Sequence, residues 1–182
     1  MRQRPWFKAL ALAVLLGINL LALAAVGKLP LGGGQAVEAP FLERAEGRRA
    51  LVFFGFPGCS QSCPVTLGQL AAAYPELRQQ APGLTVFFVN LQPFESRART
   101  AEYLAAYHSA FRPVGPDPDR LSRLSRTFGA WLYETGADRE PFHNPYVYVM
   151  ARGDDGWQIQ ARVPADSEVV RGVRRHLNSP PT

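Results

Sequence analysis

One stretch, LVFFGFPGCSQSCPVTL from Leu51 to Leu67, constrains what this chain can fold into more than any other. Its apolar run, Leu51 to Phe54, has the length and the β-branched and aromatic content of a buried strand. Pro57 and Gly58 end that strand, and Pro64 suits the first turn of a helix, where its missing N–H costs nothing. The stretch therefore predicts a buried strand, a tight turn and a helix in direct succession.

The only two cysteines of the chain, Cys59 and Cys63, fall in this turn. Close to a helix N-terminus, unpaired N–H groups and the helix dipole favour a thiolate over a thiol. With three residues between them, the cysteines lie about one helical turn apart, near the roughly 5.5–6 Å Cα separation that a disulfide prefers. The pair can therefore close a disulfide or chelate one metal ion. An inert staple is disfavoured, because the loop it would close is too short to stabilise much.

The composition indicates one domain of ordinary size behind an N-terminal extension. A chain of 182 residues buries enough core to fold without disulfide staples. The formal net charge is +5, but three of the 20 basic residues, Arg2, Arg4 and Lys8, precede the first apolar run. From Gly27 onward the remaining 17 face 15 acidic residues, and the arginines are scattered rather than striped. Nucleic acid is therefore not expected as a partner.

Residues Ala9 to Val26 form an uncharged run of 18 residues in which Asn19 is the one polar side chain, just long enough to span a bilayer. The positive-inside rule predicts a cytoplasmic basic tail at 1–8 and a single-pass anchor at 9–26 in the inner (cytoplasmic) membrane, with the domain on the periplasmic or extracytoplasmic side. A cleaved signal peptide is the alternative, since Ala22 to Ala24 fits a small-x-small cleavage pattern. Either way, the cysteines meet an oxidising compartment.

An α/β domain is predicted over residues 41–178, after a glycine-rich flexible linker at 27–40. A second all-apolar strand is typical of a sheet that helices cover on both faces. After the cysteine turn, the sequence predicts a helix at 64–80, a strand at 84–89, a helix from Ser96 to about Ser109 and a short edge strand at 111–114. A helix at 118–128 and an irregular stretch at 131–145 follow. The last elements are a hairpin of strands 146–150 and 157–161 and a helix from Asp166 or Ser167 to about Leu177. This order predicts a mixed central sheet flanked by helices.

These features resemble the Sco/SenC family of copper chaperones. The stretch FGFPGCSQSCPVTL is similar to the family pattern F-G-x-x-x-C-x-x-x-C-P-x-x-L. The N-terminal apolar run, the second apolar strand and a late histidine, His143, just before the penultimate strand complete a resemblance that covers about Arg49 to Leu177. It implies a thioredoxin-like fold with an N-terminal membrane anchor.

In that family the two cysteines and the late histidine bind copper, so the resemblance implies Cys59, Cys63 and His143 as ligands of Cu(I) or Cu(II). Soft thiolates select Cu(I), and imidazole serves both oxidation states. Three protein ligands leave the metal open to an incoming ligand, whereas a structural zinc site would show four. The implied function is a membrane-tethered chaperone that receives copper from an upstream donor protein and delivers it to the CuA centre of cytochrome c oxidase subunit II.

The chain departs from the family pattern at three places, one of which is the short segment before the first strand, where the N-terminal hairpin common in the family is expected to be missing. Phe142 stands before His143, where the family usually has an aspartate, and Asn90 to Pro93 replace its usual V-D-P. A ligating imidazole normally has its other nitrogen held by an acceptor. Without the aspartate, that acceptor must be Asp138, Glu140, a backbone carbonyl or water. The alternative for His143 is a solvated loop histidine.

The cysteine pair also supports an enzymatic hypothesis, a thiol–disulfide oxidoreductase that reduces the cysteines of a partner protein. In that case Cys59 and Cys63 are catalytic: one thiolate attacks the disulfide and the other resolves the mixed disulfide. The usual redox spacing, however, is C-x-x-C. A redox sensor or copper-responsive module without a delivery role is a third hypothesis. His108, His176 and Met150 are expected to be structural, from their positions late in helices and within a strand.

Overall fold

The computed structural model describes residues 14–17, 19, 36–60, 62–92, 95–115, 118–129, 132–133, 142–143 and 145–179, and for 118–120, 125, 132–133 and 142–143 it describes the backbone alone. The chain divides into two compact units, residues 1–32 and 33–182. In the first unit, residues 14–17 and 19 are helical and exposed, and the Asn19 amide donates a hydrogen bond to the Leu15 carbonyl (2.8 Å). The second unit contains the predicted domain.

The second unit is built on a mixed sheet. The strands are β1 (Arg49–Gly55), β2 (Thr85–Asn90), β3 (Arg112–Val114), β4 (Leu132–Tyr133), β5 (Phe142–His143), β6 (Tyr146–Gly153) and β7 (Gly156–Pro164). Five of them form one sheet with the order β3-β2-β1-β6-β7, while β4 and β5 pair separately. Strand β1 pairs in parallel with β2 and antiparallel with β6. The C-terminal ends of β1 and β2 and the beginning of β6 therefore lie at the same end of the sheet.

Helices cover both faces of this sheet. They are a 3-10 helix (Pro40–Arg44) and the α-helices α1 (Ser62–Gln80), α2 (Arg97–Ala105), α3 (Pro118–Phe128) and α4 (Val169–Leu177). Successive residues of a strand point to opposite faces, and β1 is buried on both. On one face Leu51 and Phe53 share a core with α1 and α4; on the other, Val52 and Phe54 share a core with the 3-10 helix and α3. The predicted mixed sheet flanked by helices is confirmed.

An aromatic cluster attaches α3 to its face of the sheet. Phe54 and Phe128 have ring centroids 5.1 Å apart, and Tyr148 lies edge-on to both, at 5.6 and 5.1 Å. The Tyr148 hydroxyl donates to the Phe128 carbonyl (2.8 Å), which satisfies one of the carbonyls left over at the end of α3. Burial raises the pKa of Tyr148 to about 12, although the nearby Arg162 opposes the rise. The phenol is therefore protonated at neutral pH.

The expectations for the helix after β2 and for the stretch 131–145 are wrong, and both errors have a local cause. The helix expected from Ser96 to about Ser109 ends at Ala105, since the His108 ring nitrogen Nδ1 accepts a bond from the Ala110 N–H (3.1 Å) and favours a turn there. The stretch 131–145, expected to be irregular, contains the short ribbon β4–β5. Two-residue strands are too short to produce a periodicity signal.

The packed part of the second unit begins before Phe41. Residues 36–40, at the end of the segment predicted as a linker, lie against the second core. The Val37 N–H donates to the carbonyl of Trp157 (2.7 Å), and the side chains of Val37 and Ala39 are buried. A segment this short carries too few apolar residues for a pattern to show that it packs.

Of the anchor predicted at 9–26, the structure describes residues 14–17 and 19, and the rest lies outside the described residues. Within the part of the chain that the structure does describe, no helix combines the length and apolarity needed to cross a bilayer. Val14, Leu15 and Leu16 of the helical fragment are exposed. The membrane anchor and the cleaved signal peptide both stay predictions.

Glu46 forms ion pairs with two arginines from different elements, and these pairs should make the stability of the fold depend on pH. Its carboxylate accepts from Arg112 of β3 (3.0 Å) and Arg78 of α1 (3.1 Å), and these bonds, Arg112 first, lower the pKa of Glu46 below its ordinary 4.5. A carboxyl group whose pKa is lower in the folded than in the unfolded state stabilises the fold at any pH above the unfolded pKa. This stabilisation is lost as the pH falls through the folded pKa. Because the groups are exposed and screened, we expect Glu46→Gln to lower the free energy of unfolding at pH 7 by only about 0.5 kcal/mol.

The measurement is urea unfolding of both proteins between pH 7 and pH 3. The difference between wild type and Glu46→Gln should shrink towards zero as the pH falls below about 4. Glu38→Gln is the matched control, since Glu38 is exposed and makes no ion pair within the described residues. A difference that stays constant over the whole pH range would contradict the proposed ionic origin.

Candidate functional site

Cys59 and Cys63 lie at the predicted strand-to-helix turn. Cys59 is in the turn itself, where its N–H donates to the Phe56 carbonyl (3.2 Å), and Cys63 is the second residue of α1. Gly58 adopts a left-handed conformation, φ +108°, that side chains rarely tolerate, and so allows the sharp change of direction. No disulfide joins the two cysteines, and their exposed fractions are 7% for Cys59 and 0% for Cys63. The two sulfurs therefore belong to one buried site, and Cys59 is the one nearer to solvent.

The last residue of β1 makes room for the inner sulfur. A Cβ atom on Gly55 would lie 2.6 Å from Cys63 Sγ and 2.9 Å from the ring of Phe88, distances too short for real contacts. The backbone at this point is fixed, because Gly55 is in register with Asn90 of β2 and its carbonyl accepts from the Leu91 N–H (2.8 Å). The Cys63 sulfur is thus packed directly against the sheet through the missing side chain of Gly55.

Tyr103 of α2 borders the same site. Its ring centroid is 5.9 Å from that of Phe88, and its hydroxyl bonds to the Tyr107 hydroxyl at 3.4 Å. Burial raises the pKa of Tyr103 well above its ordinary value, and the Tyr107 hydrogen bond and the thiolate charges of Cys63 and Cys59 raise it further. Tyr103 is therefore a protonated phenol at neutral pH.

A buried hydrogen-bond network holds α2 beside the site. The Asn90 side chain is fully buried, donates to Thr100 Oγ1 (2.9 Å) and accepts from the Gln92 N–H (2.9 Å). Thr100 Oγ1 in turn donates to the carbonyl of Ser96, the N-cap of α2 (3.1 Å). The network ties the end of β2 to the first turn of α2, and so positions Tyr103. Sequence reasoning missed this role, although a polar residue closing an all-apolar strand is a usable signal.

His143, the third predicted ligand, has its backbone in β5. That strand pairs antiparallel with β4, and His143 stands opposite Leu132. Its imidazole lies outside the described atoms, as do Asp138 and Glu140, the two acidic residues considered as its acceptor. The ligand role of His143 therefore stays a prediction.

The topology around β5 bears on that prediction. Strand β6 starts at Tyr146, and Phe53 of β1 stands opposite Val147 of β6. The start of β6 therefore lies beside the end of β1, at the end of the sheet that carries the cysteine turn. Pro145 is held there by its carbonyl, which accepts from the Ala165 N–H (2.7 Å).

The remaining candidate ligands have structural surroundings. His108 lies edge-on to Tyr74 and stacks on Phe111, with ring centroids at 4.7 and 5.3 Å, and its Nδ1 accepts a backbone N–H. Met150 is fully buried in the core beside β1. His176 lies in the last turn of α4. Among the side chains that the structure describes, no three His, Cys, Asp or Glu residues come together as a metal site, so this part of the chain supplies two soft donors.

Comparison with known proteins gives a consistent result. The family model described as SCO1/SenC matches residues 34–177. The mitochondrial SCO1 homolog 1 of Arabidopsis thaliana is 24% identical over 144 residues, which are 70% of this chain and 43% of that protein. The chain spans about half the length of the curated relatives it matches.

Solved structures match the fold. Apo Sco1 from Thermus thermophilus, a solution structure, has a TM-score of 0.59 and 25% identity, covering 77% of this chain and 86% of that one. Bradyrhizobium japonicum ScoI, solved with copper bound, has a TM-score of 0.60 and 17% identity, covering 74% and 88%. These similarities support the thioredoxin-like form of the mixed sheet and its flanking helices.

Because Gly55 is tightly packed, glycine-to-alanine substitutions at Gly55 and at Gly68 should change the free energy of unfolding in opposite directions. Gly55→Ala places a methyl group against Cys63 Sγ and the Phe88 ring, so we expect it to lower the free energy of unfolding by about 1–3 kcal/mol. Gly68→Ala is the matched control, because a Cβ there meets nothing within 4 Å and removing a helical glycine stabilises by about 0.5–1 kcal/mol. Urea unfolding measures both. Equal stabilisation by the two variants would show that the space at Gly55 is not needed.

Proposed function

Because this chain belongs to the SCO1/SenC family, we propose that it binds copper through Cys59, Cys63 and His143 and transfers it to another protein. The observation that carries the proposal is the buried thiol pair in the turn between β1 and α1. Thiolates are soft ligands that select Cu(I), which fits this donor set. The copper-bound structure of the Bradyrhizobium japonicum relative supports copper as the cargo.

His143 completes the proposed ligand set. Support for it comes from the family resemblance and from the topology, since β5 is followed at once by β6, whose start lies beside the end of β1. The β4–β5 ribbon restrains the backbone at His143. A neutral imidazole serves both copper oxidation states, so the site can hold the metal as Cu(I) or as Cu(II).

Three protein ligands suit transfer better than storage. An open coordination position lets a ligand from the receiving protein bind copper before the donor ligands leave. Cys59 is the sulfur nearer to solvent, so exchange begins at Cys59, while Cys63 stays covered by the sheet and α1. We propose the CuA centre of cytochrome c oxidase subunit II as the acceptor and an upstream copper protein as the donor, on the strength of the family resemblance.

The proposed location follows from the N-terminal sequence. A single-pass anchor at 9–26 in the inner membrane, with residues 1–8 in the cytoplasm, holds the domain on the periplasmic or extracytoplasmic side. The exposed apolar side chains of Val14, Leu15 and Leu16 are consistent with a lipid-facing helix. A tether of this kind confines the domain near a membrane-bound acceptor and raises its effective concentration there.

A thiol–disulfide oxidoreductase is the second candidate, and the unequal exposure of the two sulfurs favours it. The more exposed Cys59 is suited to attack a partner's disulfide, and the buried Cys63 is suited to resolve the mixed disulfide. The two activities are compatible, since reducing the cysteines of an acceptor prepares them to bind copper.

Copper stoichiometry of the reduced full chain tests the main proposal. We expect one copper per chain in the wild type, because the two thiols and His143 form one site. The variants Cys59→Ser and Cys63→Ala should lose the metal, and His143→Ala should weaken binding by orders of magnitude. Metal content and thiol count are read on the same samples, with His176→Ala as the matched histidine control. Unchanged copper in His143→Ala would remove that residue from the site.

Disulfide exchange by the same variants separates the two functions. We expect His143→Ala to reduce a model disulfide at close to the wild-type rate, because the imidazole takes no part in thiol attack. Cys59→Ser should abolish the reaction. Equal loss of copper binding and exchange in His143→Ala would show that the histidine supports the whole site rather than the metal alone.

A further inference from the structure

A groove of about 390 Å³ opens beside the cysteine turn, outside the proposed ligand set. One wall is the turn and the other is one side of α2; the lining residues are Pro57, Gly58, Arg99, Glu102, Tyr103 and Ala106. Pro57 and Gly58 directly precede Cys59 in the chain. The volume is in the range of pockets that hold small molecules.

Two opposite charges line this groove, and neither is in a close ion pair among the described residues. Arg99 and Glu102 are three residues apart on α2, so they share one side of the helix. Neither forms an ion pair within the described part of the chain, whereas Glu43, Glu46 and Glu168 each do. The groove therefore presents one cation for a carboxylate and one anion for an ammonium group. An α-amino acid carries both of these groups on one carbon.

Tyr103 extends from the groove towards the surroundings of the Cys63 sulfur. Its ring lines the groove, packs near Phe88 and is anchored through its hydroxyl to Tyr107. The Phe88 ring and Cys63 Sγ both lie beside Gly55, because a Cβ atom on Gly55 would contact both of them. A small molecule in the groove therefore lies next to the turn that carries the reactive pair.

We propose that this groove binds a small thiol carrying an α-amino acid group, of which L-cysteine is the simplest, and directs its sulfur to an oxidised Cys59–Cys63 pair. Arg99 holds the carboxylate of the thiol and Glu102 holds its ammonium group. The groove thus returns the oxidised pair to the dithiol form that binds copper. The inference rests on the proposed redox activity of the pair and goes beyond copper binding.

The reaction balances with two molecules of the small thiol. The first thiolate attacks the sulfur of Cys59; a Cys59–small-thiol disulfide forms, the Cys59–Cys63 bond breaks, and Cys63 leaves as a thiolate that takes up a proton. A second thiolate then attacks the sulfur of the bound small molecule, which releases the disulfide dimer and the Cys59 thiolate, and this thiolate takes up the second proton from solvent. The pair gains two electrons and two protons, and two small thiols are oxidised to one disulfide.

The test compares how fast four thiols reduce the oxidised full chain at low ionic strength. L-cysteine carries both charges, 3-mercaptopropionate the carboxylate alone, cysteamine the ammonium alone and 2-mercaptoethanol neither. For each thiol the rate with a variant is divided by the wild-type rate, so the intrinsic reactivity of the thiol cancels. The variants are Arg99→Gln and Glu102→Gln. Arg97→Gln is the matched control, because Arg97 lies on the same helix but packs against Gly115.

We expect a pattern that follows the charges. Arg99→Gln should slow L-cysteine and 3-mercaptopropionate about three- to fivefold and should not slow cysteamine or 2-mercaptoethanol, the size expected for exposed ion pairs. Glu102→Gln should slow L-cysteine and cysteamine by a similar factor and spare the other two thiols. Arg97→Gln should slow none of them. The same ratio for all four thiols, or the Arg99 pattern repeated in Arg97→Gln, would overturn the proposal.

Two further measurements, disulfide formation in the wild type and copper content of the variants, separate this inference from the proposed function. If the wild-type pair forms no disulfide by mass and thiol count, the groove has no substrate and the inference fails, while copper binding is untouched. If the disulfide forms, the copper content of reduced Arg99→Gln and Glu102→Gln should equal that of the wild type, because neither residue is a proposed ligand. Loss of copper in these variants would overturn the assignment of the groove to the small thiol.

Discussion

The burial of β1 on both faces is the constraint on which the rest of the structure depends. A strand with apolar side chains on alternate sides must be covered twice, by α1 and α4 on one side and by α3 and the 3-10 helix on the other. Its neighbours are then fixed by hydrogen bonds, β2 in parallel and β6 antiparallel. This arrangement brings the turn after β1, the end of β2 and the start of β6 together; the turn carries the two cysteines, and the predicted ligand His143 precedes β6.

The site combines a reactive pair with unusually firm support on one side. Cys63 is covered by the sheet, and Gly55 and Phe88 define the space that its sulfur fills. Asn90 fixes the end of the neighbouring strand and the start of α2 through buried hydrogen bonds, whose loss would leave polar groups without partners in the core. Firm support of this kind lets a two-sulfur site keep its geometry in the absence of metal, as the proposed transfer of copper would require.

Much of the fold could be predicted from the sequence because the signals were local. The run ending at Phe54, the Ser96 cap and the hairpin at 152–156 each depend on a few consecutive residues, and each element is present. The short ribbon β4–β5 and the early end of α2 could not be predicted, because they depend on pairing and on one side-chain hydrogen bond rather than on periodicity. Cysteine spacing located the thiol pair, whereas the Gly55 fit and the groove join residues distant in sequence.

The contact between Gly55 and Cys63 also makes the two halves of the site differ in rigidity. The sulfur of Cys63 is wedged against the last residue of β1, the central strand of the sheet, so its position changes only when the core around that strand loosens. Cys59 follows Gly58, whose surroundings leave open space and whose backbone is in a conformation that glycine adopts freely. If the pair has the proposed copper-binding and redox roles, any change in the distance between the sulfurs is therefore taken up on the Cys59 side, while Cys63 stays in place.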